Sequence, residues 1–198
     1  MKLNDVVIVG TARTPIGDYM GSLKSLTTVD LGLIAVNGAL KNAGVDPSLV
    51  EEVAAGCIYK NGQKGNPARQ LQIKAEMPHT GWAYTVDQQC ASGMKAFELI
   101  YESLALNKAS VGLAVGMESM TNAPYLLLKG REGYRMGDGE IKDSMLYDGL
   151  VCAMEGSALV MMTLERANEL GLKPLARVVA TANFGAQPRV MGIGPAYA

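Results

Sequence analysis

Short continuous apolar runs alternate along this chain with stretches of helical periodicity, and that alternation sets the expected fold. Residues 6–10 (VVIVG), 53–59 (VAAGCIY), 82–86 (WAYTV), 111–116 (VGLAVG) and 157–163 (SALVMMT) are apolar or β-branched runs of strand length. Runs of this kind suit strands buried on both faces of a sheet. Between the first two, Val29, Leu33, Val36 and Leu40 recur at helical spacing, with Thr28 placed to cap the helix and Gly44 to end it. A second helix is expected over about residues 68–75, and a third after Cys90, where Met94, Phe97, Ile100, Tyr101 and Leu104 recur. A short helix at 164–170 and a last strand-like stretch at 175–184 follow. Strands alternating with helices predict right-handed crossovers and an α/β domain, residues 1–198, whose five-stranded sheet carries helices on both faces. The pattern lapses only over residues 117–150, glycine-rich and mixed in charge, which reads as a long functional or interfacial loop.

Composition narrows the function classes. With 198 residues, 48% of them hydrophobic, the chain is long enough for a substantial core. Lys plus Arg number 18 against 19 Asp plus Glu, so no general field draws it to nucleic acid or to an anionic membrane. The first residues show neither a basic region followed by an apolar stretch nor a membrane span, and a cytoplasmic location is the expectation. Three cysteines, Cys57, Cys90 and Cys152, without a CxxC pair, argue against a disulfide framework and against a cysteine metal site.

Cys90 is the candidate for chemistry. It stands at the junction of the strand at 82–86 and the helix that follows, where helix-terminal amides and the helix dipole favour a thiolate. Ala91, Ser92 and Gly93 directly after it leave room for a backbone or a thioester carbonyl to approach. Position alone leaves open the alternative of a small buried hydrophobe at a strand end. Cys57 and Cys152, set among apolar residues, read as core, and His79, after Met77-Pro78, as a surface turn residue.

The segment Thr85-Val86-Asp87-Gln88-Gln89-Cys90-Ala91-Ser92-Gly93 resembles the nucleophile segment of the thiolases, the acetyl-CoA acetyltransferases and 3-ketoacyl-CoA thiolases. Residues 6–17 (VVIVGTARTPIG), 66–70 (NPARQ), 116–124 (GMESMTNAP), 135–141 (RMGDGEI), 170–177 (LGLKPLAR) and 191–195 (MGIGP) agree in order and spacing. The resemblance covers the first half of the family's pattern and implies its N-terminal half-fold, a five-stranded mixed sheet. It implies that Cys90 forms an acyl-enzyme from coenzyme A thioesters, with no permanently bound cofactor. It further implies self-association through this half, with residues 117–124 and Arg69 near the contact.

Two departures shape the expectation. The family's Asn-Glu-Ala-Phe, Gly-His-Pro and Cys-x-Gly-Gly-Gly segments, which supply the base, a second cysteine and oxyanion donors, do not occur. The family's loop domain, which holds much of the CoA, is reduced to residues 151–156. No CoA-contacting residue is therefore carried over; Lys129, Arg131, Arg135 and Lys142 are candidate phosphate contacts, against the reading of a solvated or subunit-contacting loop. The expected arrangement is a nucleophile-bearing subunit completed by a complementary C-terminal-half chain. The alternatives are a truncated or inactive product and a non-catalytic assembly or acyl-binding subunit; a ketoacyl synthase fits the 117–124 and 135–141 segments less well.

Overall fold

The computed structural model describes residues 4–151, and these fall into two compact units that meet in sequence at Tyr125 and Leu126. The first holds helix α1 (Thr28–Ala43), strand β1 (Glu52–Gly56), helix α2 (Pro67–Lys74), strand β2 (Trp82–Val86), helix α3 (Ser92–Ala105) and strand β3 (Gly112–Gly116). The three strands form a parallel sheet in the order β2-β1-β3. Each crossover is a helix, as parallel pairing requires.

Alternation along β1 separates the two faces. Val53 and Ala55 point to one side, in register with Ala83 on β2 and with Leu113 and Val115 on β3. There they join Val29, Val36 and Leu40 of α1 and Ala68 and Leu71 of α2 in the main core. Ala54 points to the other side, where it packs with Ala96 and Ile100 of α3, backed by Tyr84 and Leu104. That second face is built of small residues where α3 crosses it. Gly112, Ala114 and Gly116 on β3 stand in register with Glu52, Ala54 and Gly56 on β1. A Cβ on Gly112 would lie 2.7 Å from Cγ2 of Ile100, and one on Gly56 only 2.4 Å from the carbonyl carbon of Ser92. The helix thus rests in a trough that any larger side chain would fill.

Helix α1 is closed at both ends by local chemistry. Thr27 is its cap, in a reciprocal box: Oγ1 of Thr27 accepts the amide of Asp30 at 3.2 Å, and Oδ2 of Asp30 accepts the amide of Thr27 at 3.2 Å. Thr28, the expected cap, is the first helical residue and is fully buried, its hydroxyl accepting from Nε2 of Gln63 at 2.5 Å. Gly44 ends the helix at φ 65°, as expected, its amide reaching Lys41 O while that of Val45 reaches Leu40 O.

The sheet departs from expectation in size. Among the described residues it has three strands, all parallel, not five in a mixed sheet. Residues 6–10, expected as a central strand, join no ladder, and Val7, Ile8 and Val9 are exposed. Hydrogen bonds hold the chain on either side of it: the amide of Asn4 donates to Ala105 O, and Nδ2 of Asn42 donates to Thr11 O. The expected elements at 157–163, 164–170 and 175–184 lie outside the described residues, as does Cys152. In the second unit the expected loop acquires local order. Strand β4 (Tyr125–Leu126), which begins at the boundary residue, pairs with strand β5 (Lys142–Asp143), and a wide helical turn follows at Leu146–Leu150.

Candidate active site

Strand β2 ends at Val86 and α3 begins at Ser92, so the chain reverses within five residues, with Cys90 among them. The serine that opens the helix fastens this turn. Its Oγ accepts the amide of Gln88 at 2.8 Å and donates to Gln89 O at 2.6 Å. The amides of Ala91 and Ser92 return to Gln88 O and Gln89 O at 3.1 and 2.9 Å. Gln89 pays for the sharpness of the turn with a left-handed backbone, φ 52°, a region that residues with a Cβ seldom adopt. Cys90 is exposed while Ser92 is buried, so the sulfur stands on an open side of a turn fixed from behind. Ala91, the cap residue of α3, offers no side-chain acceptor to the first-turn amides.

The turn is tied to the neighbouring strand end. Asp87 accepts the Gln89 amide on Oδ1 at 3.1 Å and pairs through Oδ2 with Nζ of Lys60 at 2.6 Å. Lys60 also donates to Cys57 O and Ile58 O, the loop that leaves β1. That loop in turn meets Glu118, two residues past β3. The carboxylate accepts from Ile58 N at 2.7 Å, Tyr59 N at 3.4 Å and the Cys57 thiol at 3.5 Å. Burial raises the Glu118 carboxyl above the usual range against these donors, and burial with the adjacent carboxylate pushes the Cys57 thiol up to about 12. Cys57 is thus the core residue the sequence predicts and stays protonated at neutral pH. The Glu118 cluster was not legible beforehand; its one trace is a carboxylate directly after an apolar run.

Other expected segments are structural here. Asn66 caps α2 and receives the Thr85 hydroxyl at 2.7 Å, while the Ala68 amide donates to Thr85 Oγ1. Arg69 binds the carbonyls of His79 and Gly81 and Oε1 of Gln72, pinning the turn that contains the exposed His79. Ser119 and Asn122 hold the carbonyl of Leu26 ahead of α1. In the second unit Lys129, Arg131 and Arg135 are exposed, and Lys142 pairs with Glu140 and lies 5.8 Å over the Tyr147 ring. Among the described residues no three His, Cys, Asp or Glu side chains gather as a metal site, and no helix is long and apolar enough to cross a membrane.

Residues 6–173 match the family described as thiolase, N-terminal domain. The chain belongs to the thiolase family. Among its thiolase relatives, the acetyl-CoA acetyltransferase of Escherichia coli is 39% identical over 171 residues, 86% of this chain and 43% of that enzyme. Acetyl-CoA acetyltransferase 1 of Arabidopsis thaliana is 45% identical over 150 residues, 76% of this chain and 36% of that protein. Among solved thiolase structures, the acetyl-CoA acetyltransferase from Syntrophomonas wolfei superposes with a TM-score of 0.73 at 40% identity, over 87% of this chain and 43% of that one. The Acat5 thiolase from Ascaris suum, in complex with coenzyme A, gives a TM-score of 0.74 at 28% identity, over 86% and 44% of the two chains. The chain spans less than half the length of these relatives.

Proposed function

We propose that this chain is the nucleophile-bearing part of a two-component thiolase, acting on acetyl-CoA or a related short acyl-CoA in the cytoplasm. The observation that carries the reading is the exposed Cys90 thiol at the head of α3, in a turn held from behind. Support comes also from relatives named acetyl-CoA acetyltransferases and from a similar thiolase solved with coenzyme A.

In this reading the Cys90 thiolate attacks the thioester carbonyl, the bond to the CoA sulfur breaks, and CoA leaves with the proton that Cys90 gave up. A second acetyl-CoA then loses an α-proton to a base. Its carbon attacks the acyl group, and the Cys90 thioester bond breaks as the carbon–carbon bond forms; the reverse sequence is thiolytic cleavage. An imidazole to carry the first proton and a second thiol to take the α-proton are supplied by a complementary C-terminal-half chain. His79 does not serve, since its turn is held by Arg69 as a surface feature. Self-association through residues 117–124 and Arg69, phosphate contacts by Lys129, Arg131, Arg135 or Lys142, and completion of the family's five-stranded mixed sheet belong to the same proposal.

The test incubates the chain with radiolabelled acetyl-CoA, alone and with the companion polypeptide that co-purifies with it. The expected result is CoA release and an acetyl group on Cys90 by peptide mass spectrometry, both lost in Cys90→Ala. Label on another residue, or activity that survives Cys90→Ala, overturns the proposal, and CoA binding without transfer favours the non-catalytic alternative.

A further inference from the structure

We propose that Glu118 is a positioning residue for Cys90, acting through Lys60 and Asp87. The inference rests on the reading of Cys90 as the nucleophile and adds a residue far from it in sequence.

The route is continuous. Glu118 gathers the amides of Ile58 and Tyr59 and the Cys57 thiol onto one half-buried carboxylate, which fixes the loop leaving β1. The loop's carbonyls at 57 and 58 hold Nζ of Lys60, which reaches Oδ2 of Asp87. Asp87 uses its other oxygen on the Gln89 amide, the residue whose left-handed backbone sets the direction in which Cys90 leaves the turn. A second tie runs beside the first, from the Cys57 amide to Val86 O, directly before Asp87. A left-handed glutamine persists only where its surroundings determine it, and Asp87 supplies that determination from one side as Ser92 does from the other. Burying a carboxylate is costly, and the amides of Ile58, Tyr59 and Ser119 with the Cys57 thiol converging on it give it a structural task. A carboxylate also suits the place better than an amide, whose NH2 group would oppose the Tyr59 amide and the Cys57 thiol.

A strand-end latch with no bearing on Cys90 would have the same contacts at Glu118, so the test reads the sulfur itself. The second-order rate of Cys90 alkylation by iodoacetamide is measured on the full chain at neutral pH by peptide mass spectrometry, with circular dichroism to follow folding. Glu118→Gln and Lys60→Met are each expected to slow it roughly three- to tenfold, the scale of helix-terminal effects on a thiolate. Lys60→Arg, which keeps the pair with Asp87, is expected to stay within about twofold of the unmodified chain, and the double variant is expected to be no slower than the slower single one. Lys60 and Asp87 form a partly exposed pair of the kind that adds little stability, so Lys60→Met tests position rather than folding. Rates within about twofold for both single variants, or full multiplication of the two effects in the double variant, overturn the proposal. Alkylation uses no acyl-CoA, so failure of this relay is distinct from failure of Cys90 to accept an acetyl group.

Discussion

The two faces of the three-stranded sheet are finished to different degrees. On one, α1 and α2 contribute Val29, Val36, Leu40 and Leu71 to the core, and they turn outward Asn37, Lys41, Asn42 and Lys74 together with Ile34 and Ile73, one exposed isoleucine each. On the other, Ala96 and Ile100 of α3 pack on Ala54, backed by Leu104, while Met94, Phe97 and Tyr101 along the same helix remain 55%, 51% and 45% exposed. Helices apolar on more than one side are characteristically buried on more than one side. The larger buried cluster lies on the α1 and α2 face, and the helix headed by Cys90 exposes three large apolar side chains beyond those its sheet buries. On the proposed two-component reading, the exposed side of α3 is the surface a companion chain would cover.

Substitutions on the two faces break or sharpen the comparison. Leu71→Ala removes a fully buried side chain from the covered face and is expected to cost about 2–5 kcal/mol, read as a lower urea midpoint. Gly56→Ala forces a Cβ onto the backbone of Ser92 and is expected to cost about 1–3 kcal/mol, because backbone cannot give way as a flexible side chain does. A neutral result there would mean that α3 is not seated as described.

Thr27→Ala removes the α1 cap and is expected to cost about 1 kcal/mol. It should also change a pH dependence. The Thr27 hydroxyl foremost, then Lys74, hold the Asp30 carboxyl at about 2, below its ordinary 3.8. The unfolded chain therefore takes up this proton first as pH falls, so the stabilisation is complete above the ordinary value and lost as pH drops through about 2. Urea midpoints at about pH 5 and about pH 3 should converge in Thr27→Ala relative to the unmodified chain. The smallest effect is expected from Phe97→Ser on the open face, within about 0.5 kcal/mol for the chain alone. On the proposed two-component reading, the same variant should weaken association with the companion chain, measured by calorimetry. A loss of stability comparable to that of Leu71→Ala would show that the two faces do not differ.

Much of this was legible in the sequence where the signal is local. Strands β1, β2 and β3, the three helices and the Gly44 stop follow from apolar runs, 3.6-residue spacing and a glycine directly after the last apolar position of α1, where φ is above zero. The cap of α1 falls one residue before the expected Thr28, at Thr27, and the signal that separates the two is Asp30, which lies three residues beyond Thr27 and completes the box. Residues 6–10 were not legible as an exposed segment, since their apolar run is indistinguishable from that of a paired strand and pairing depends on what lies beside it. For the site, Cys90 could be placed at the head of its helix from flanking pattern alone. The contacts joining residues 57–60, 87 and 118 depend on the register of three parallel strands, which no spacing in the sequence encodes. Nor did the helical periodicity of Met94, Phe97, Ile100 and Tyr101 say which of them the sheet would claim.

The glycine at 56, with its counterparts at 93 and 116, means that the head of α3 is seated by main chain on main chain. Seating of that sort is indifferent to which side chains decorate the surrounding surface. An engineer recasting the exposed face of α3 at Met94, Phe97 and Tyr101 can therefore randomise there, provided Gly93 and the strand glycines beneath it, Gly56 and Gly116, are left unchanged.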